Sequence, residues 1–373
     1  MSSFGGMNSE QIKRRVRACD YMTVAQLFLQ SNYLLEHDLT FEDIKPRLLG
    51  HWGTCHGINV AYANLRAFYS ERRSISGQNT VANLKPKSTI ADLRSLDQKT
   101  VAVKTQPQTE LVVDPDFSFI LGPGHGFPAL QANLFLDGDL AKVDPKASLD
   151  EKGLAYICHQ FSWPGGFPSH ASPITPGVIC EGGELGYALG AAYGYALGHP
   201  EKTVAVLLGD GEMETATALA SLNLVKLLGN HAYNGRVLPI LHLNGYKISA
   251  PTLYARKSER ELGELIRGFG YTPFVIAGDD PKTFQRTLTE ASDVRHPFFI
   301  LRTEKGATGP KELHGQKIAG NFLAHQIPLP AAKTDSTELK MLDEWLKSYH
   351  FDELFNPKTG FTIDEIEEGK ETR

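Results

Sequence analysis

TVAVLLGDGE at 203–212 and VLPILHLNGY at 237–246 are two apolar runs, and each ends in a polar turn that contains glycine. Both runs have the length of a buried strand, and the segment 212–228 between them is predicted to be a helix. Two strands joined through a helix form a βαβ unit. This unit favours a sheet whose strands are parallel.

The same pattern extends in both directions along the chain. Further apolar runs predict strands, namely FSFIL at 117–121, YTPFVIAG at 271–278 and HPFFILRT at 296–303. Helices are predicted over 8–36, over 184–198 and around 281–292. The alternation predicts an α/β protein with an open, doubly wound, mainly parallel sheet, in which ligands bind at the carboxyl ends of the strands.

Both strands of the βαβ unit end in an oxygen ligand suited to a metal ion. Asp210 follows the first strand and Asn244 follows the second, so the two side chains share one edge if the strands are adjacent and parallel. Mg²⁺ prefers hard oxygen ligands, and phosphate oxygens commonly complete its coordination. Gly209 and Gly211 let the backbone approach a diphosphate, and the helix predicted from Glu212 directs its positive end toward it.

The predicted helix at 184–198 has a glycine at every fourth position, at Gly186, Gly190, Gly194 and Gly198. One of its faces therefore carries almost no side chains, and another backbone can approach that face closely. Close packing inside the domain and contact with another subunit or domain both fit this pattern.

The 373 residues, 41% hydrophobic and 22% charged, are sufficient for a sizeable core. One domain is predicted over 1–330, with a polar insertion near 70–112, and a polar tail or linker follows over 331–373. The stretch 161–183 is rich in Pro and Gly and is predicted to be a long loop. Such a loop inside a compact domain is commonly functional.

Charge and cysteine usage argue against several classes of protein. The formal net charge of −5 provides no basic excess for a nucleic-acid partner. The start, MSSFGGMNSE, lacks the pattern of a signal peptide, and no run approaches the roughly 18 apolar residues of a membrane span. The cysteines show no metal-binding spacing, so we expect a reduced, cytoplasmic protein without a membrane partner.

The GDGE turn, followed by a helix, a strand and Asn-Gly, resembles the thiamine-diphosphate signature of transketolase-like enzymes. Further blocks resemble phosphoketolases in the same order, namely GHWGTCHG (50–57), GPGHGFPA (122–129), FPSHASPITPG (167–177), EGGELGYALG (181–190), VLPILHLNGYKISAPT (237–252), EKGATGPK (304–311) and AHQIPL (324–329). The resemblance covers about residues 15–355. It implies the thiamine-diphosphate-binding fold of that family's amino-terminal domain.

The resemblance also implies cofactors and a reaction. The cofactors are thiamine diphosphate and Mg²⁺. The substrates are phosphate and a ketose phosphate, either xylulose 5-phosphate or fructose 6-phosphate, which are converted to acetyl phosphate and an aldose phosphate. Proton transfer near neutral pH, which this chemistry needs, suits histidines.

Carried over residue by residue, the resemblance implies a set of site residues. The metal ligands are Asp210, Asn244 and the carbonyl of Tyr246. The cofactor-binding residues are Gly183, Gly209, Asp210, Gly211, Glu212, Asn244 and Tyr246. The catalytic histidines are His51, His125, His170 and His325, and Lys305 binds the substrate phosphate. The remaining histidines considered, His56, His159, His242 and His314, are interpreted as structural.

The chain departs from the family pattern near the substrate side. His56 stands where the family usually has Pro, Ala307 where it has Trp, and Ala216-Thr217 where it has Gly-Pro. The loss of a large Trp beside Lys305 bears on the identity of the substrate more than on the binding of the cofactor.

The resemblance ends where the family continues into a pyrimidine-binding domain, which carries the glutamate that activates the cofactor. We therefore expect a split enzyme in a hetero-oligomer, with that domain on a separate chain. One alternative is a subunit of a transketolase-like two-carbon or acetyl transferase with a different acceptor. A second alternative is a non-catalytic binding protein that has kept the cofactor pocket.

Overall fold

The computed structural model describes residues 7–76, 117–175, 178–227 and 234–363. The α-helices in these ranges are α1 (Ser9–Phe28), α2 (Cys55–Ser76), α3 (Phe127–Leu136), α4 (Asp139–Val143), α5 (Glu151–Gln160), α6 (Ala188–Gly198), α7 (Ala216–Ser221), α8 (Glu259–Phe269), α9 (Pro281–Glu290) and α10 (Ser336–Lys347). The strands are β1 (Phe117–Leu121), β2 (Thr203–Gly209), β3 (Arg236–Leu243), β4 (Thr272–Ala277), β5 (Pro297–Arg302), β6 (Glu312–Leu313), β7 (Gln316–Lys317), β8 (Phe355–Asn356) and β9 (Gly360–Phe361). Of the predicted polar insertion near 70–112, residues 77–112 lie outside the described ranges, and residues 70–76 form the end of α2. Among the helices of the described ranges, none is both long and apolar enough to cross a membrane.

Five parallel strands form the main sheet in the order β1-β2-β3-β5-β4. Each strand predicted from the sequence is present in this sheet. β2 and β3 are neighbours, with Gly209 opposite His242 at the carboxyl end of the pair. The predicted α/β fold with a mainly parallel sheet is confirmed, and the turns after β2 and β3 lie at one edge.

Alternate side chains of β2 face two separate hydrophobic cores. Val204, Val206 and Leu208 pack in one core with residues of α6, α7 and α8. Ala205 and Leu207 pack in the other core with residues of α1, α2 and α3. Because successive side chains of a strand point to opposite faces, both faces of the sheet are covered by helices. This is the doubly wound arrangement that the sequence predicts.

Two helices are shorter than the sequence predicts, and local backbone geometry explains both. α1 ends at Phe28 because Leu29 is extended and pairs with Ile44 as an isolated bridge. α6 begins at Ala188 rather than near 184, because Gly186 has a φ of 102°. That left-handed conformation interrupts a helix and favours glycine.

The helix predicted over 212–228 is divided into short pieces. A 3₁₀ turn at Glu212–Glu214 precedes α7, and a second 3₁₀ segment at Leu222–Lys226 follows it. Thr215 caps α7, since its hydroxyl accepts the N–H of Ala218 at 3.3 Å. The backbone after the GDGE turn therefore changes direction before the helix starts.

The segment 331–363, which the sequence predicts to be part of a polar tail or linker, contains a helix that packs on the core. α10 buries Leu342, Trp345 and Leu346, and the ring of Trp345 lies edge-on to Trp52 with centroids 5.0 Å apart. The apolar positions are separated by charged ones at helical spacing, so this polar segment forms an amphipathic helix. Residues 364–373 lie outside the described ranges.

Candidate active site

The polar turns after β2 and β3 are joined by hydrogen bonds to one buried carboxylate. Asp210 is 2% exposed, and its backbone N–H donates to the carbonyl of His242 at 3.2 Å. Its Oδ2 accepts the N–H of Gly245 at 2.7 Å and the hydroxyl of Thr252 at 3.1 Å. Its Oδ1 accepts the N–H of Gly211 at 3.0 Å. The carboxylate thus fixes both turns at the carboxyl edge of the sheet.

The three predicted metal ligands belong to these two turns. They are the carboxylate of Asp210, the amide oxygen of Asn244, which accepts the N–H of Tyr246 at 3.2 Å, and the carbonyl oxygen of Tyr246. Burial raises the pKa of Asp210, and the hydrogen bond from Gly245 and the charge of Lys305 oppose that rise. A buried carboxylate with an amide and a carbonyl oxygen is a donor set that fits Mg²⁺. No group of three or more His, Cys, Asp or Glu side chains within the described ranges is arranged to hold a metal ion.

Lys305 reaches the same edge from the segment that follows β5. Its side chain is buried, at 2% exposure, and its Nζ donates to the carbonyl of Tyr246 at 2.9 Å. Burial lowers the pKa of Lys305 to about 8, while attraction to Asp210 opposes that shift. The lysine predicted to bind substrate phosphate therefore contacts one of the predicted metal ligands.

Glu212 holds several glycine turns together. Its carboxylate is 2% exposed and accepts the N–H of Gly209 at 3.1 Å and the N–H of Gly186 at 3.2 Å. A Cβ atom at Gly122 would lie 2.1 Å from its Oε2, so that turn needs glycine. Burial raises the pKa of Glu212 to about 7, and the two N–H donors oppose the rise. Both oxygens of this predicted cofactor-binding side chain are thus bonded to the backbone.

Two further loops lie against the GDGE turn. Gly183 is exposed, and its N–H donates to Oε1 of Glu181 at 2.9 Å. Lys247 forms an ion pair with Glu214 at 2.6 Å, and Glu214 also accepts the N–H of Leu253 at 2.6 Å. The ion pair holds the loop after β3 onto the turn after β2, which fixes the Tyr246 carbonyl near Asp210.

The four predicted catalytic histidines come from four separate loops and lie together. The ring of His51 lies 5.0 Å from His125, 5.4 Å from His170 and 5.1 Å from His325, measured between centroids. The rings of His125 and His325 are 4.8 Å apart. We call these residues the histidine cluster.

Backbone contacts between loops hold the histidine cluster in place. The N–H of Ala171 donates to the carbonyl of Gly124 at 2.9 Å, which joins the loops of His170 and His125. A Cβ at Gly124 would lie 2.1 Å from the carbonyl oxygen of Gly182, so these loops approach too closely for a side chain. The N–H of Trp52 donates to the carbonyl of Gln326 at 3.2 Å, which joins the loops of His51 and His325.

The histidine cluster favours neutral imidazoles. Burial lowers the pKa of His51 to about 4 and that of His325 to about 3, and the charge of Lys305 contributes to both shifts. Burial also lowers the pKa of His170, and that of His125 falls well below its usual value. The buried Nδ1 atoms of His51 and His325 have no hydrogen-bond partner among the described residues. At neutral pH the imidazoles of the cluster are therefore uncharged.

His56, interpreted as structural, belongs to a buried charged network away from the cluster. Its Nδ1 lies 2.7 Å from the carboxylate of Asp20 and its Nε2 lies 3.4 Å from that of Asp279. Asn59 donates to the same Asp20 carboxylate at 2.8 Å. Burial disfavours the imidazolium, but the two carboxylates outweigh it and raise the pKa of His56 to about 10.

The other histidines interpreted as structural have ordinary partners. His242 is fully buried on β3, and its ring nitrogens lie 3.0 Å from the hydroxyl of Thr54 and 2.7 Å from that of Thr303. The ring of His159 packs on Trp163, with centroids 4.8 Å apart. His314 lies 3.4 Å from the carboxylate of Glu338.

Sequence reasoning did not single out Thr252 and Glu214, which support the metal edge through Asp210 and Lys247. Both lie within or beside motifs that carry the family resemblance, and that position is the signal that could have identified them. A lone threonine or glutamate has no pattern of its own.

Comparison with known proteins gives consistent results. A family model described as the XFP N-terminal domain matches residues 6–72, 112–294 and 285–372. A probable phosphoketolase of Bradyrhizobium diazoefficiens is 39% identical over an alignment of 388 residues. The alignment covers 98% of this chain and 43% of that protein. A probable phosphoketolase of Rhodopseudomonas palustris strain BisB5 is 42% identical, over 93% of this chain and 42% of that protein. The chain thus spans less than half the length of these relatives.

Solved structures show the same fold at low sequence identity. The transketolase from Campylobacter jejuni has a TM-score of 0.56 and 17% identity, covering 96% of this chain and 45% of that one. The transketolase from Leishmania mexicana has a TM-score of 0.52 and 16% identity, covering 93% and 46%. At this identity the likeness establishes a transketolase-like fold.

Proposed function

Because this chain belongs to the family of the XFP N-terminal domain, we propose that it provides the thiamine-diphosphate- and Mg²⁺-binding half of a phosphoketolase-like enzyme. The proposed reaction cleaves xylulose 5-phosphate or fructose 6-phosphate with phosphate and yields acetyl phosphate, an aldose phosphate and water. The observation that carries the proposal is the histidine cluster close to an edge lined by oxygen ligands. Lys305 links the two, since it donates to Tyr246 and lowers the pKa of His51.

Asp210, Asn244 and the Tyr246 carbonyl are the proposed Mg²⁺ ligands, with Gly183, Gly209 and Gly211 beside the diphosphate. When bound, thiamine diphosphate supplies the nucleophile and the electron sink for cleavage of a carbon–carbon bond. Glu212 contributes by holding the turns of Gly209 and Gly186 in place. The protein thereby positions the diphosphate before a substrate arrives.

The histidine cluster is proposed to move protons to and from the substrate hydroxyls. Cleavage of the carbon–carbon bond removes a proton from one hydroxyl, and loss of a second hydroxyl as water needs a proton donor. Neutral imidazoles can serve first as bases and then as acids. His51 is the central member, since its ring lies within 5.4 Å of the rings of His125, His170 and His325.

Lys305 is proposed to bind the phosphate group of the substrate. An ammonium forms charge-assisted hydrogen bonds with phosphate oxygens, and these are stronger than neutral ones. Lys305 contacts Tyr246 and its charge lowers the pKa of His51 and His325, and this proximity to both supports the role. Replacement by Met, with the complementary half present, is expected to raise the KM for a sugar phosphate about tenfold or more, as loss of such a bond costs about 1.5–3 kcal/mol.

The complementary half, a pyrimidine-binding domain, is proposed to lie on a separate chain. The glycine face of α6 offers that domain a surface for contact, since a Cβ at Gly194 or Gly198 would meet no heavy atom within 4 Å in the described part of the chain. Exposed apolar side chains flank that helix and the loop after β3, namely Tyr187 at 51%, Leu197 at 44%, Ile248 at 59% and Leu253 at 58%. Contact with a second domain would cover these surfaces.

The test is an assay of the purified chain, alone and with a second chain that carries a pyrimidine-binding domain. We expect the chain alone to form no acetyl phosphate, detected as its hydroxamate, and the pair to form it. Acetyl phosphate formation by the homogeneous single chain contradicts the split arrangement. In calorimetry, Asp210→Ala is expected to abolish Mg²⁺-dependent binding of thiamine diphosphate, and an unchanged affinity refutes the metal site.

A transketolase-like transferase is the second candidate, and Ala307 favours it. This residue stands two positions after Lys305 where phosphoketolases usually have Trp, so the wall beside the lysine is small. Extra space near the substrate suits a larger acceptor than phosphate. Formation of a new sugar or acetylated carrier without acetyl phosphate would identify this activity.

A further inference from the structure

The contact between Lys305 and Tyr246 joins a cation to an oxygen atom that the proposed function gives to the metal. The ammonium lies 2.9 Å from the Tyr246 carbonyl and is attracted by Asp210, so it interacts with two of the three proposed ligands. The side chain is only 2% exposed. A buried ammonium needs such acceptors, because it has lost most of its hydration.

We propose that Lys305 takes the place of the metal while the site is unloaded, and that it leaves the Tyr246 carbonyl when a divalent cation binds. This inference rests on the proposed metal site. An ammonium and a divalent cation bound to the same carbonyl would be only a few Å apart in a buried environment, where repulsion between like charges is strong. The lysine and the metal therefore compete for one position.

The displaced ammonium has a second partner in the proposed reaction. Once the ammonium leaves the Tyr246 carbonyl, it needs another hydrogen-bond acceptor. A phosphate group, which is anionic, is such an acceptor. Binding then has an order, since Lys305 becomes available to a phosphate only after the metal is in place. The lysine prevents Asp210 from being buried without a cation in the unloaded chain.

Lys45 offers a matched control for the removal of a buried lysine. It is also 2% exposed, and burial also lowers its pKa to about 8. Its Nζ donates to the carbonyls of Gln26, Cys158 and Phe161 at 2.7, 2.7 and 3.0 Å. None of these carbonyls belongs to the proposed metal site. Removal of Lys45 therefore shows the effect of losing a buried lysine that does not compete with the metal.

The experiment is a titration of the full chain with Mn²⁺ alone, in the absence of thiamine diphosphate, followed by electron paramagnetic resonance of free Mn²⁺. Lys305→Met is expected to bind Mn²⁺ about tenfold more tightly than the wild type, because a competing charge-assisted bond is gone. Lys45→Met is expected to bind Mn²⁺ as the wild type does, and Asp210→Ala is expected to lose the binding. If Lys305→Met does not fold, Lys305→Gln, which has an amide but no charge, is expected to shift the affinity in the same direction.

The variants distinguish a failure of the proposed metal site from a failure of the proposed competition by Lys305. If Asp210→Ala loses Mn²⁺ binding but removal of the Lys305 charge leaves the affinity unchanged or weaker, the metal site stands and the competition by Lys305 is wrong. If Lys45→Met also tightens binding, the effect is not specific to Lys305 and the inference is again overturned. If Asp210→Ala keeps full Mn²⁺ affinity, both the proposed site and the inference fall.

Discussion

His51 and His56 stand a few residues apart in one motif, but their surroundings give them opposite properties. His56 faces the carboxylates of Asp20 and Asp279, which raise its pKa to about 10. His51 has no carboxylate partner, and burial, with smaller effects of His170 and Lys305, lowers its pKa to about 4. The difference shows that the partners of a buried histidine decide whether it keeps its proton, and burial alone does not.

The two environments also differ in what they contribute. The network of His56 joins α1, α2 and the turn after β4 through satisfied hydrogen bonds and charges. The buried Nδ1 of His51 has no partner within the described ranges, so its environment is not arranged for stability. Sites for catalysis commonly have this property, because function requires groups that the fold leaves unsatisfied.

The largest expected effect is on activity and sharpens the comparison. In the enzyme assembled with its complementary half, His51→Ala should lower kcat by about 10²–10⁴-fold, the range for loss of a general acid or base. His56→Gln, at the same helix start, should leave kcat within about threefold in correctly folded protein, since its ring faces the Asp20 network. Steady-state rates of acetyl phosphate formation measure both. Equal losses of kcat in the two variants would contradict the proposed difference between a catalytic His51 and a structural His56.

The next effect is on stability and concerns the carboxylate that faces His56. Asp20→Ala should lower the free energy of unfolding by about 3–5 kcal/mol, because it leaves a buried imidazolium without its main partner. Asp279→Ala is the control: the Asp279 side chain is 65% exposed, and its loss should cost about 1 kcal/mol or less. Urea unfolding followed by circular dichroism gives both values. Similar costs would show that the buried pair is not the stabilising one.

A third prediction follows from the pKa of His56. The folded pKa of about 10 lies above the ordinary value of 6.5, so the stabilisation is complete below pH 6.5 and is lost as pH rises toward 10. The difference in unfolding free energy between the wild type and His56→Gln should shrink by about 1.6 kcal/mol from pH 6.5 to pH 8. Lys45 and Lys305, with lowered pKa values, act in the opposite direction at higher pH, and subtraction of the variant removes their contribution. A constant difference over this range would contradict a charged His56.

The sequence predicted the sheet well because buried parallel strands are continuous apolar runs with polar turns at their ends. The polar turns at the strand ends led to Asp210 and Asn244, and the edge they share follows from the parallel order. The family resemblance, which the comparisons confirm, added Tyr246, Lys305 and the four histidines. The sequence could not predict the contacts of His56, since Asp20 and Asp279 are far from it along the chain and lone acidic residues carry no pattern. For the same reason the bond between Lys305 and Tyr246 is visible only in the folded chain.

The smallest expected effect tests whether the histidine cluster costs stability. The buried Nδ1 of His325 has no hydrogen-bond partner in the described part of the chain, so an apolar side chain of similar size should fit better. His325→Leu is expected to raise the free energy of unfolding by about 0.5–1 kcal/mol while abolishing activity. His242→Leu is the matched control, because both of its ring nitrogens contact threonine hydroxyls.

The control should lose about 1–3 kcal/mol, since two threonine hydroxyls, one of them on the buried Thr54, would be left without their partner. Urea unfolding of the two variants beside the wild type measures the contrast. A loss of more than about 1 kcal/mol in His325→Leu would mean that His325 is bonded in solution, and the cluster would then resemble the environment of His56. A higher free energy of unfolding in His325→Leu, together with a lower one in His242→Leu, would show that the loops carrying the histidine cluster give up stability for function.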